Sequence, residues 1–230
     1  MTMVTNSPTP LRERKKLETR ARIIEHAVRI FGERGMTAPT VEEIAAAADV
    51  GKGTIYNYFS TKEEIVVAFM VEVEKLVQAK VADFAARRGP LASILADFIR
   101  YQLELKEPYR DFVRVFMAQV YTRGSELMPH FEEMQNAIDP PLIELFRSLM
   151  RRGLMRNDVH LASLIEIFKL LHMGIVTVWI NDSPPYRETM YLLEEEMRLL
   201  SQGLAGSETR RSRGKGNQSG PERQGKSVEN

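Results

Sequence analysis

The 230-residue chain contains no cysteine. That excludes a disulfide framework and any thiolate-bound metal, and a chain this long can bury a core without such staples. Its four histidines (His26, His130, His160 and His172) are too scattered to form a metal motif. No His-Glu-x-x-His, cysteine nucleophile or convincing carboxylate pair appears. Gly51-Lys52-Gly53-Thr54 lacks the upstream glycine and the Lys-Ser/Thr order of a phosphate-binding loop. No catalytic residue, metal or cofactor is therefore assigned, and an enzyme is not expected. Near the N-terminus no apolar run has the length of a signal peptide. Leu161 to Ile180 is the most apolar stretch, but Glu166, Lys169 and His172 interrupt it, so it reads as a buried core helix rather than a membrane span. These absences point to a protein of the reducing cytoplasm with no membrane partner. No alternating strand pattern occurs either, and an all-α fold follows.

The net charge is only +1, but it is unevenly placed. Residues 1–62 hold ten Lys/Arg against seven Asp/Glu, residues 63–203 sixteen against twenty-one, and residues 204–230 six against three. A basic head on an acidic middle suits a protein that touches phosphates with one part of its surface.

Thr40 to Lys62, TVEEIAAAADVGKGTIYNYFSTK, organises the chain. Thr40 with Glu43, and Ser60 with Glu63, have the spacing of capping boxes, so two helix starts are marked. Asp49 falls where the first short helix must end and tolerates a left-handed turn. With Ile55 inward, the helical period places Phe59 and partly Tyr58 on the same face and leaves Lys52, Gly53, Thr54, Tyr56 and Asn57 outward or flanking. So short a helix is stable only if Ile55 and Phe59 pack on Val41, Ile44 and Val50. This is a helix-turn-helix, whose second helix enters the DNA major groove. Lys52 can donate to guanine or phosphate and Asn57 can pair with adenine. Thr54 and Tyr56 can meet a thymine methyl or a phosphate, and Gly53 lets the backbone approach.

Here the residues also carry a likeness. Lys52-Gly53-Thr54-Ile55-Tyr56, then Tyr58-Phe59, then Lys62-Glu63-Glu64 resemble the DNA-binding segment of the tetracycline-repressor-like (TetR) family, over roughly Glu18 to Phe69. Asp49 stands where that family usually has a turn glycine, and Gly51 where it usually has serine; both fit the geometry. The resemblance implies phosphate contacts at Thr40, Tyr58 and Lys62. It also implies a C-terminal helical domain that binds a small-molecule effector and pairs two copies through its last two helices as a four-helix bundle.

The expected organisation is a flexible basic arm over 1–16, carrying Arg12, Arg14, Lys15 and Lys16, then a helix-turn-helix DNA-binding domain over 17–64. Helix 61–88 links that domain to a helical effector-binding and dimerisation domain over 65–203, and a disordered tail occupies 204–230. Within the middle domain the spans Leu91–Glu107, Tyr109–Thr122, Glu126–Asn136, Pro141–Arg152, Asp158–Ile180 and Pro184–Gln202 read as helices divided by Pro, Asp and Asn. Candidate effector contacts are Tyr101, Arg114, Met117, Tyr121, Phe168, His172 and Trp179, because Met and aromatic side chains line adaptable pockets and a few polar groups orient a ligand. Candidate dimer contacts are Leu164, Phe168, Leu171 and Ile175 on one helix and Leu193, Met197 and Leu200 on the next.

With what the resemblance implies, the expectation is a ligand-responsive transcriptional regulator, a repressor that binds a palindromic operator in double-stranded DNA as a homodimer and, by the resemblance, leaves it when a small apolar or amphipathic effector binds. The alternative is an architectural or protein-interaction helical module that does not read DNA sequence.

Overall fold

In a computed structural model of the chain, residues 10–137 and 139–204 are described. The expectations for residues 1–9 and 205–230 lie outside the described residues. Ten α-helices and one short 3-10 turn make up the described structure, with no strand among the described residues. They are α1 (Leu11–Arg34), α2 (Val41–Ala47), α3 (Lys52–Tyr56), α4 (Lys62–Ala86), α5 (Leu91–Lys106), α6 (Arg110–Val120), α7 (Met128–Ala137), α8 (Asp139–Arg151), α9 (Leu161–Asn181) and α10 (Arg187–Leu204). The 3-10 turn, Glu107–Tyr109, holds Pro108 between α5 and α6.

Helices α9 and α10 each begin three residues later than the sequence spans, at Leu161 and Arg187, and two boundaries nearer the N-terminus also differ. Helix α1 begins at Leu11 rather than Leu17, so Arg12, Arg14, Lys15 and Lys16 lie on a helix and not on a flexible arm. No Gly or Pro stands between Leu11 and Leu17, and the Pro10 carbonyl accepts from the amides of Glu13 and Arg14 at 2.9 and 3.0 Å. Helix α4 starts one residue later than expected: Thr61, not Ser60, is its N-cap, accepting from the Glu64 amide at 3.2 Å. The Ser60 amide in turn donates to the Glu64 carboxylate at 2.7 Å. The same reciprocal logic operates, shifted by one position.

Helices α1 to α3 form the head. Ile23, Ala27, Val28 and Phe31 of α1 are buried with Ile44 and Ala45 of α2 and Ile55 and Phe59 around α3. Small residues Ala45 and Ala48 keep α2 thin where α3 crosses it. The head rests on the body through α1, which packs against both α4 and α6. Phe112 of α6 bridges the two layers: its ring lies 6.5 Å from Phe31 of α1 and 5.3 Å from Phe69 of α4.

In the body, α4 packs on α5, α7 and α8, while α10 lies along α5 and α9. Leu161–Asn181 is long and apolar enough to cross a membrane, yet here it packs on α6, α8 and α10 with Lys169 and His172 buried. Lys169 is paired with Asp139 at 2.9 Å and Glu166 at 2.8 Å, as a buried ammonium requires. At the far end of α9, Arg110 and Arg114 donate to the last carbonyls, Trp179 and Ile180, supplying the partners that a helix C-terminus leaves unmet.

Candidate nucleic-acid interface and effector cavity

The reading helix is built from local chemistry. The Thr40 hydroxyl accepts from the Glu43 amide at 3.2 Å and the Glu43 carboxylate accepts from the Thr40 amide at 2.8 Å, completing the expected capping box. Those bonds, with Arg34 at 2.7 Å, hold the Glu43 carboxyl down to about 2. Asp49 then takes a φ of 52°, the left-handed turn, and Val50 closes onto the Ala45 carbonyl at 3.0 Å. Gly51 caps α3 with an extended backbone. Of the outward candidates, Lys52, Gly53, Tyr56 and Asn57 are exposed and Thr54 is half-buried, whereas Ile55 and Phe59 are buried beneath them. A Cβ built on Gly53 would meet nothing within 4 Å, so the glycine leaves an open gap on the outer surface.

Lys52 pairs with Glu42 and lies 5.9 Å from the centre of the Tyr56 ring. The hydrogen bond to Glu42 raises the Lys52 ammonium and lowers the Glu42 carboxyl. Both groups are exposed, and such a pair is weak enough for a phosphate to take the lysine over. Thr40 is exposed with its hydroxyl in the cap, and Tyr58 is half-buried beside Phe59. Lys62 is placed differently from a free phosphate contact. Its ammonium donates to the carbonyls of Met36, Thr37 and Pro39 at 3.0, 3.1 and 3.1 Å, tying the α1–α2 loop to the start of α4.

The body contains an apolar cavity open to solvent on one side, about 600 Å³ with that solvent space included. Its walls come from α4, α5, α6, α7 and α9, with Met70, Val77, Phe116 and Phe131 prominent among the apolar groups. Glu74, Gln102, Lys106, Gln135 and His172 interrupt them. Burial pushes the Glu74 carboxyl up to about 7 against the pull of Lys106 and Gln78. It brings the Lys106 ammonium down to about 8, with Glu74 opposing. Burial, reinforced by Lys106, also holds the His172 imidazole well below its ordinary value, so it is neutral at pH 7. Glu74 Oε1 and His172 Nε2 are buried without a hydrogen-bond partner. A second apolar hollow, lined by Val66, Val67, Val71, His130 and Glu133, shares Met70, Phe116 and Phe131 with this cavity.

Of the effector candidates, Met117 and His172 line the cavity. The other five do not line it. Arg114 is committed to the Ile180 carbonyl at 3.0 Å, and Trp179 is buried beside Arg110. Tyr121 is exposed at the end of α6. Phe168 stacks on Phe98 and meets Phe146 edge-on. Tyr101 packs on Phe84 and donates to the Leu76 carbonyl. Sequence reasoning missed Glu74, Gln102, Lys106 and Gln135. The available signal was a polar residue inside an apolar stripe, as at Glu74 between Val73 and Val77.

Among the dimer candidates, Leu164, Phe168, Ile175, Leu193 and Met197 are buried inside the single chain, and Leu171 and Leu200 are half-buried. Their side chains are occupied by the chain's own core, because α9 and α10 each present that face to the body. The apolar groups that α9 and α10 leave exposed are instead Ile167, Leu170, Tyr191 and Leu199, with Leu170 71% and Tyr191 72% accessible.

Comparison with known proteins follows this division. Residues 23–69 match the family model described as "Bacterial regulatory proteins, tetR family". The uncharacterized HTH-type transcriptional regulator YhgD of Bacillus subtilis is 22% identical over 174 residues, 75% of this chain and 87% of YhgD. Among solved structures, GusR of Salmonella enterica superposes with a TM-score of 0.68 at 20% identity, covering 86% of this chain and 100% of GusR. The transcriptional regulator FadR of Bacillus subtilis, solved in complex with stearoyl-CoA, superposes with a TM-score of 0.66 at 22% identity, covering 80% of this chain and 98% of FadR.

Proposed function

The chain belongs to the tetR family of bacterial regulatory proteins, and from that premise we propose that it is a ligand-responsive transcriptional repressor that binds a palindromic operator as a homodimer in the cytoplasm. The observation that carries this reading is α3, five residues long, with Lys52, Gly53, Tyr56 and Asn57 exposed on a head whose core is closed beneath them. Two-fold pairing would double the few base pairs that one such helix reaches, at half-sites about 34 to 36 Å apart. Exposed Ile167, Leu170, Tyr191 and Leu199 on α9 and α10 would supply the contact between copies.

Release is read through the cavity. Phe116 forms part of its wall and stacks 6.1 Å from Phe112, which in turn touches Phe31 in the head. A ligand that binds better when this aromatic series is displaced would retilt the heads, and only that difference in affinity between states can lower DNA binding. The FadR relative holds an acyl-CoA, which supports a partly apolar effector for this chain. An architectural module without sequence reading gains no support from relatives named as HTH-type regulators.

Selecting random DNA fragments with the purified protein and sequencing them tests the reading. Enrichment of one inverted repeat is expected; the absence of any enriched palindrome under all conditions would sink it.

A further inference from the structure

We infer that the cavity binds an organic anion, a single carboxylate on an apolar body, with Lys106 as its counter-ion, the His172 Nε2–H as a donor and Glu74 taking up a proton as the ligand enters. This rests on the ligand-responsive reading above and specifies the chemistry of its effector.

The polar groups are few and face one space. Lys106 from α5, Glu74 from α4 and His172 from α9 line the same cavity, with the amides Gln102 and Gln135. His172 is 8% exposed and its Nε2 has no partner within the protein. A buried polar atom left unpaired is costly unless something occupies the site to meet it. The α6 wall contributes Val113, Phe116 and Met117, none of them titratable. From α7, His130 and Glu133 face the adjoining hollow, 3.9 Å from each other.

The sign of the ligand's charge follows from which groups can change theirs. A cation would meet the Lys106 ammonium and could pair only with Glu74. An anion meets Lys106 and an imidazole N–H. The single opposing charge, Glu74, is removed by one proton near neutral pH, because burial has already raised that carboxyl to about 7. His172 remains neutral and, in the tautomer protonated at the unpartnered Nε2, donates a hydrogen bond to the ligand. The apolar walls suit the apolar body of such a ligand.

Proton uptake fixes the pH dependence. The bound anion raises the Glu74 carboxyl further, so the complex holds one more proton than the free protein above about pH 7. Affinity then falls as pH rises, by up to about tenfold per unit, and falls again as Lys106 loses its charge above about 8.

Titration calorimetry of the full chain at pH 7 tests this with decanoate, decanol, decyltrimethylammonium and decanoyl-CoA, each below its micelle concentration. Decanoate is expected to bind about tenfold or more tightly than decanol, with a heat that varies with buffer ionisation as proton uptake requires. Lys106→Met should erase the preference for decanoate over decanol, with Lys106→Gln as the second variant if the first does not fold. Glu74→Gln should reduce proton uptake on decanoate binding and flatten the fall of affinity with rising pH. Tighter binding of the ammonium probe, equal binding of decanol, a thioester preference indifferent to Lys106, or no binding by any probe overturns the inference. Operator binding is measured separately: decanoate that binds without changing operator affinity refutes release by this ligand while the ligand class stands.

Discussion

Gly32 of α1 lies so close to Phe112 of α6 that a Cβ on the glycine would sit 2.8 Å from the Phe112 backbone nitrogen. The same Cβ would also meet the Asp111 carbonyl carbon at 3.3 Å. Because the obstacle is backbone, Gly32→Ala can be accommodated only by moving α1 from α6. The expected cost is about 1–3 kcal/mol in urea unfolding, together with altered operator affinity, since α1 carries the head. A variant as stable as the parent, with unchanged DNA binding, would mean that this contact does not set the head's position.

Gly53 predicts the opposite separation of stability from function. It lies within α3, where alanine is favoured over glycine by about 1 kcal/mol, and nothing stands within 4 Å of its missing Cβ. Gly53→Ala should therefore stabilise the head slightly and weaken operator binding, if the gap exists to let DNA approach. Unchanged affinity, measured by anisotropy on labelled operator, would show that the gap is not part of the interface.

Lys62 is held by three carbonyls of the α1–α2 loop. Lys62→Met should lower stability by about 1–3 kcal/mol through those stranded acceptors. The slope of log affinity against log salt should stay as it was. A slope smaller by about 1 would instead mark a direct phosphate contact.

Leu170 is exposed on α9, whereas Leu164 is buried on the same helix. Leu170→Glu should shift the protein from dimer to monomer in sedimentation equilibrium with its unfolding little altered. Leu164→Ala should cost about 2–5 kcal/mol of fold stability. A Leu170→Glu protein that remains dimeric would place the interface elsewhere.

Glu74 also shapes stability against pH. Its carboxyl is raised from 4.5 to about 7 in the folded chain, so between those values the native state binds the extra proton and stability falls as pH rises. His172, lowered by burial, acts in the opposite direction below 6.5, which is why the comparison must be between parent and variant. Relative to the parent, Glu74→Gln should gain up to about 3 kcal/mol between pH 4.5 and pH 7. Parallel stability profiles for the two proteins would refute it.

The sequence by itself determined what is local. The Thr40–Glu43 box, the left-handed Asp49 and the inward Ile55 and Phe59 each depend on residues within a few positions, so their chemistry is written in order along the chain. It also identified the ten helical segments, but began α1 six residues late, where no breaker separated the basic residues from the helix, and began α9 and α10 three residues early. The cap of α4 moved by one because Ser60 and Thr61 are both able caps, each with a glutamate three residues on.

Tertiary structure decided what depends on partners far apart in the chain. Lys62 reaches carbonyls up to 26 residues back, and the Glu74–Lys106–His172 group is assembled from three helices that share no sequence spacing. Leucine stripes on α9 and α10 reveal that a face is apolar, but not whether the chain itself covers it. Leu164, buried, and Leu170, exposed, differ only in which side of α9 meets the body, and that is fixed by packing rather than by residue type.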